Sequence, residues 1–151
     1  MESPFKILIV DDHPANRALL SEILKHSHPE YIVFEAEDGL QALEVTREIH
    51  PDLILLDIMM PGMDGFEVLK TLKEDERFKP VPVLLITALD NIENKIKGFQ
   101  AGANDYIAKP IHKEETLARV EAQLRIKRYH DDLQEAMNKL KTAQKALIES
   151  A

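Results

Sequence analysis

The stretch Asp52-Leu53-Ile54-Leu55-Leu56-Asp57 decides the fold. Leu53–Leu56 offers no polar side chain to water, so a strand here must be covered on both faces, as in a parallel sheet. A carboxylate, Asp57, follows it at once. Working outward, four more apolar runs resemble it: Phe5–Val10, Tyr31–Ala36, Val81–Ile86 and Asp105–Ala108, the last centred on Tyr106 and Ile107. The segments between them read as helices. Pro14 opens the first, where a missing N–H is harmless, and Ala15, Ala18, Leu19 and Ile23 recur at helical spacing. Asp38 caps the second, which carries Ala42, Leu43 and Ile49 and ends before Pro51. Asp64 caps the third, with Phe66, Leu69 and Leu72 inside it. Asn91 begins the fourth, which carries Ile92, Ile96 and Phe99 and stops near Gly102; the fifth starts around His112. Strand and helix alternating five times predict an α/β fold, a doubly wound parallel sheet with right-handed crossovers. Such sheets bind ligands at the carboxyl ends of their strands, near the point where strand order reverses.

Composition narrows the chemistry. The 151 residues carry a net charge of -8, with 44% hydrophobic and 30% charged residues, which fits a folded domain. There is no Cys, which excludes disulfides, thiolate metal sites and cysteine nucleophiles. No apolar run approaches the roughly 18 residues of a membrane helix, and Met1–Lys6 leads straight into a strand without a signal-like segment. A cytoplasmic location is expected, with no membrane contact. The acidic balance speaks against a broad nucleic-acid-binding face. The acid is confined to the front: residues 1–111 have a net charge of -9 and residues 112–151 of +1.

The predicted strand ends collect the reactive groups. Asp11 and Asp12 follow the first strand, Asp57 the third, Thr87 the fourth and Lys109 the fifth. Singly, each has a plain reading: a turn or cap for Asp11 and Asp12, a strand-end hydroxyl for Thr87, a surface amine for Lys109. Together they make one site. Three carboxylates side by side repel unless a cation joins them, and a hard divalent ion such as Mg2+ suits them. A lysine and a hydroxyl complement phosphoryl oxygens. A carboxylate among them can be the nucleophile that becomes an aspartyl phosphate. The six His residues show no metal-ligand spacing, and His13 reads as the residue preceding a helix rather than as a ligand. Neither GxGxxG nor GxxxxGK[ST] occurs, which disfavours nucleotide binding.

The stretches Ile7–Asp12, Asp52–Asp57, Met60–Gly65, Leu85–Ala88 and Gly102–Pro110 together resemble the receiver domain of bacterial two-component response regulators, of the chemotaxis-regulator fold. The resemblance covers about residues 5 to 122, with no departure at a core motif position. It implies a flavodoxin-like sheet of order 2-1-3-4-5. It implies Asp57 as phosphoacceptor, and Asp11, Asp12, Asp57 and the Met59 backbone carbonyl as protein ligands of Mg2+. Lys109 would pair with the phosphoryl group, Thr87 would move to bond it, and Tyr106 matches the aromatic switch position. The Lys109–Pro110 peptide would be cis. Met59 and Leu89 match positions that tune acyl-phosphate hydrolysis. The implied partner is a histidine kinase or phosphotransfer protein, and the implied chemistry is self-phosphorylation and self-dephosphorylation rather than enzymatic turnover.

The helical pattern runs on past residue 122. Ile126, Leu133, Leu140 and Leu147 recur at sevens, with His130, Met137 and Gln144 at the other seam position. Gly and Pro are absent after residue 110, so one helix from about Lys113 to Ser150 is expected, roughly 55 Å long. Residues 1–122 therefore read as the receiver and residues 123–151 as a coiled-coil helix continuing the fifth helix. The expected assembly is a parallel homodimer, and the segment Leu140–Ser150 is similar to signalling helices that lead into histidine kinase or cyclase output domains. Two alternatives stand beside this reading. One is a stand-alone receiver that binds a target protein through its switched surface. The other is a small Mg2+-dependent phosphatase, against which the missing DxDx[TV] signature at Asp57 argues. No helix-turn-helix or basic arm follows the receiver, so no DNA contact is expected from this segment.

Overall fold

The computed structural model describes residues 3–150. Strands β1 (Lys6–Val10), β2 (Ile32–Ala36), β3 (Leu53–Asp57), β4 (Val83–Ala88) and β5 (Asp105–Lys109) alternate with helices α1 (Pro14–Ser27), α2 (Gly39–Ile49), α3 (Gly65–Glu74), α4 (Ile92–Gln100) and α5 (Lys113–Ser150). The strands pair in parallel in the order β2-β1-β3-β4-β5. The order reverses at β1, so the crevice of the switch point opens between the carboxyl ends of β1 and β3. Those are the ends that carry Asp11, Asp12 and Asp57.

Strand period builds two cores. Ile7, Ile9, Leu53, Leu55, Leu84, Ile86 and Ile107 face Leu20 and Leu24 of α1 and Val120 and Leu124 of α5. The alternate rows, Leu8, Val10, Ile54, Leu56, Val83 and Leu85, face Ala42 and Leu43 of α2 and Val68, Leu69 and Leu72 of α3. All four residues of Leu53–Leu56 are buried, as a strand covered on both faces requires.

The helix starts follow their capping residues. Asp38 accepts from the Gln41 N–H, Asp64 from the Glu67 N–H and Asn91 from the Asn94 N–H, at 2.8 to 3.0 Å. The fourth strand departs from expectation at both ends. It begins at Val83 because Pro82 has no N–H to give a ladder, although the Pro82 carbonyl still accepts from Ile54 at 3.1 Å. It runs on to Ala88 because Thr87 and Ala88 pair with Ala108 and Lys109. The Lys109–Pro110 peptide is cis.

Helix α5 is continuous over 38 residues. Its first turns bury Thr116, Val120 and Leu124. Contact with the body continues past residue 122: Lys127 Nζ lies 3.3 Å from Asp52, and the Arg128 guanidinium stacks 4.1 Å from the Phe5 ring centre. From Tyr129 to Ser150 every residue is exposed. No described helix is long and apolar enough to cross a membrane.

One glycine holds the β3–α3 turn against the sheet. Gly65 donates its N–H to the Ile58 carbonyl at 3.0 Å, and a Cβ on it would lie 2.5 Å from the Asp57 carbonyl oxygen and 2.8 Å from Ile58 Cα. Both are backbone atoms and cannot swing aside. Gly65→Ala is expected to cost about 1–3 kcal/mol through overpacking. A urea titration should show a lower midpoint at unchanged slope; an unchanged midpoint would mean that the turn yields freely.

Candidate functional site

The strand period that builds the α1–α5 core also aims the site. Asp11, Asp57 and Lys109 continue the rows of Ile7 and Ile9, of Leu53 and Leu55, and of Asp105 and Ile107. All three therefore emerge on the same side at the carboxyl edge. Thr87 continues the opposite row, after Val83 and Leu85, and its residue is buried beside the strand end.

Asp11 is fully buried. Its Oδ1 accepts the His13 N–H at 2.8 Å, while its Oδ2 is buried without a hydrogen-bond partner. The Arg17 guanidinium donates to the Asp11 carbonyl at 2.7 Å and to Glu35 at 3.2 Å, which ties the start of α1 to the end of β2. Asp57 is 1% exposed. Its Oδ1 accepts from the Met59 N–H and from the Lys109 ammonium, each at 3.3 Å, and its Oδ2 is buried with no partner. Asp12 Oδ1 is a third buried oxygen without a hydrogen bond.

Three carboxylates face one lysine here, so the charge does not balance. Burial, and next the nearby Asp11 carboxylate, push the Asp57 carboxyl above its ordinary range. Lys109 and the Met59 N–H pull the other way without overcoming them. Ligand atoms of Asp11, Asp12, His13 and Asp57 lie within 4.8 Å of one another. Around an octahedral ion at about 2.1 Å, opposite ligands stand about 4.2 Å apart. The three orphaned oxygens are hard donors on three of those four residues, the kind of ligand a divalent cation takes. The residues present fit such an ion.

Asp11, Asp12, Asp57 and Lys109 are brought together as the sequence suggested. Met59 turns its backbone N–H to Asp57 while its side chain, like that of Leu89, is exposed. Tyr106 stands apart, half-buried on β5. Its ring meets Phe99 edge-on at 6.2 Å and lies between Lys95 and Arg119, whose charged atoms are 4.3 and 4.5 Å from the ring centre. Arg119 also binds Asp105 and Glu115, which joins the Tyr106 strand to α5. Sequence reasoning weighs His13 beside the acidic pair and reads it as the residue preceding a helix rather than as a ligand. It occupies the N-cap position of α1 as expected, yet makes no side-chain cap bond there. Its Nδ1 lies 3.1 Å from Asp12 Oδ1 and 3.5 Å from Asp11 Oδ1.

Comparison with known proteins agrees with this geometry. Residues 7–121 match the family model of the response regulator receiver domain. The chain is 48% identical over 120 residues to the DNA-binding dual master transcriptional regulator RpaA of Synechocystis sp., covering 80% of this chain and 49% of RpaA. It is 39% identical over 142 residues to the hybrid signal transduction histidine kinase D of Dictyostelium discoideum, covering 94% of this chain and 9% of the kinase. The chain thus spans less than half the length of these curated relatives. A crystal structure of a putative response regulator from Chloroflexus aurantiacus superposes with a TM-score of 0.77 at 37% identity, covering 81% of this chain and 98% of that one. Receiver domains of this kind are phosphorylated on an aspartate, taking the group from histidine kinases or phosphotransfer proteins, and bind Mg2+ at their acidic cluster. With its sheet order, its buried acidic cluster and a family match over residues 7–121, this chain belongs to the response regulator receiver domain family.

Proposed function

We propose that Asp57 accepts a phosphoryl group from the phosphohistidine of a histidine kinase or phosphotransfer protein, and that the change passes through a dimeric α5 helix to an output domain of kinase or cyclase type. The observation that carries the first part is the state of the Asp57 carboxylate. It is buried, one of its oxygens has no hydrogen bond, and its other oxygen is held by Lys109. In the transfer an Asp57 oxygen forms a bond to phosphorus as the bond from phosphorus to the donor imidazole nitrogen breaks. Lys109 and Thr87 offer a cation and a hydroxyl to the equatorial oxygens, where charge gathers. Asp11, Asp12, Asp57 and the Met59 carbonyl would hold a Mg2+ ion, which would supply further charge neutralisation when bound. The exposed apolar side chains of Met59 and Leu89 flank the approach and restrict the water that would hydrolyse the acyl phosphate.

The dianionic group draws the Thr87 hydroxyl toward it, and Tyr106 turns inward, which alters the α4–β5–α5 surface. Two observations support the second part. Ile126, Leu133, Leu140 and Leu147 form an exposed apolar row, the last three on the part of the helix that has left the domain. The similarity to the hybrid kinase spans 142 residues and so includes part of that helix. A lone helix of this kind is marginal in water, and a second copy covers its stripe. The receiver unit is taken as residues 1–122 with the linker from 123, although Lys127 and Arg128 still touch the body.

Intact mass after incubation with an acyl phosphate and Mg2+ tests the chemistry. One phosphoryl increment is expected in the wild type and none in Asp57→Ala; an increment in both would move the acceptor elsewhere. Light scattering tests the assembly. The full chain should have the mass of two copies, and the double variant Leu133→Asp/Leu140→Asp the mass of one, with the melting of the receiver body unchanged. The charge imbalance predicts a third result. A carboxyl held high in the folded state favours folding while protonated and opposes it once ionised. Without divalent cations at neutral pH, Asp57→Asn should be more stable than wild type by on the order of 1 kcal/mol, or about 2–4 °C. Thermal melts should show this gap closing as pH falls through the raised titration of Asp57 into the ordinary carboxylate range, where the wild type is protonated as well. Mg2+ should narrow it at neutral pH by stabilising the wild type. An Asn variant less stable than wild type at neutral pH would overturn the electrostatic account.

A further inference from the structure

We propose that His13 is a fourth side-chain ligand of the acidic site, and that it tunes the site toward divalent cations that accept imidazole, such as Co2+, Ni2+ and Mn2+, over Mg2+. The inference rests on the reading of the acidic cluster as a cation site and goes beyond its carboxylate ligands. His13 Nδ1 and Asp12 Oδ1 are 3.1 Å apart. Neighbouring ligands around an octahedral ion at about 2.1 Å stand about 3.0 Å apart. At that separation a hydrogen bond is the ordinary expectation. None forms: Asp12 Oδ1 is buried without a partner. The pair stands at ion-pair distance without a hydrogen bond. That is how two ligands sit when both face a third point.

The carboxylates define that third point independently. Asp11 Oδ2 and Asp57 Oδ2 are buried in fully or almost fully enclosed residues, and neither has a hydrogen-bond partner. Asp11 and Asp57 are also two of the four residues, His13 included, that each bring a ligand atom within 4.8 Å of the others. The backbone holds the ring there. His13 donates its N–H to Asp11 Oδ1 at 2.8 Å, and Pro14 fixes the chain directly after it as α1 begins. The side chain is 67% exposed, so the remaining ring nitrogen can keep its proton and face water while Nδ1 presents its lone pair.

The chemical consequence is selectivity. Mg2+ is hard, prefers oxygen and sheds its waters reluctantly, so an imidazole at the rim adds little to its binding. First-row transition ions bind imidazole well, with affinity rising from Mn2+ through Co2+ to Ni2+. A site of three carboxylates and one imidazole therefore binds these ions more tightly than the carboxylates alone, while its Mg2+ affinity depends on the carboxylates.

Calorimetric titration of the full chain with Mg2+ and with Co2+, for wild type and His13→Ala, tests this in mildly alkaline buffer. The visible absorption of Co2+ reports its ligand field in parallel. The expected result is a loss of about tenfold or more in Co2+ affinity for His13→Ala, with a changed Co2+ spectrum and Mg2+ affinity within about twofold of wild type. Equal losses for both ions would assign His13 an electrostatic or structural role and overturn the inference. So would an unchanged Co2+ affinity. Asp11→Asn must abolish the same Co2+ signal; a signal that survives it comes from other histidines and also overturns the inference. Failure of the wild type to bind either ion would sink the underlying reading of the cluster instead, so the two failures are distinct.

Discussion

The structure turns on the repulsion between buried carboxylates. Asp11 and Asp57 are both withdrawn from water, each with one oxygen left unsatisfied, and one partly exposed lysine is the cation bonded to Asp57. Such an arrangement costs stability unless the surrounding fold enforces it. The enforcement comes from two adjacent parallel strands, β1 and β3, whose interiors are among the most thoroughly buried in the protein. Their apolar rows cannot shift register without moving core side chains into the wrong layer. The carboxylates at the strand ends are carried along, whatever their mutual charge. Stability built in the core thus maintains an excess of negative charge at the edge, which a divalent cation would complement.

The same logic orders the second ring of residues. Asp57 Oδ1 is steadied by a backbone N–H and an ammonium, and Asp11 Oδ1 by the His13 N–H. Each carboxylate therefore has one oxygen positioned by the protein and one available for chemistry. Gly65 allows α3 to start against the Asp57 carbonyl, so the residue that bears the chemistry is packed from behind by backbone. A side chain there would have pushed the helix off the turn and loosened the aim of Asp57.

Much of this was legible in the chain. The buried run Leu53–Leu56 sets a parallel sheet, and caps at Asp38, Asp64 and Asn91 place three helix starts, because a continuous apolar strand and a short acceptor side chain each have few other uses. Strand ends were less legible. The fourth strand reads as starting at Val81 by hydropathy, because Val81 is indeed buried, but Pro82 keeps it out of the ladder. Side-chain aim was less legible still. That Asp11, Asp57 and Lys109 share a face follows from strand parity and could have been counted. That Thr87 continues the other row could also have been counted, yet a motif match gives it the same standing as Lys109. The position of His13 depends on the turn between β1 and α1, which no periodicity encodes. The extent of α5 was clear from the absence of Gly and Pro, whereas its contacts at Lys127 and Arg128 were not, because they reach residues as distant in sequence as Asp52 and Phe5.

Those contacts bear on how the proposed relay can work. Lys109 ends β5, the strand that also carries Tyr106, and Arg119 of α5 lies over the Tyr106 ring while binding Asp105. A change at Asp57 therefore has a short path into the first turns of α5. Lower down, Glu121 meets His28, Lys127 meets Asp52, and Arg128 covers Phe5, so the helix is also fastened to the opposite end of the sheet. A helix held near both ends of the domain does not bend locally at one contact. In the proposed relay, a shift of β5 against the fastened end would move the rod as a whole, by rotation, splaying or a change of registry. The exposed row from Leu133 to Leu147 lies beyond the last fastening point and would be carried with it. In a paired helix a change in crossing angle there alters which side chains meet at the seam, and that is a signal an attached domain can read.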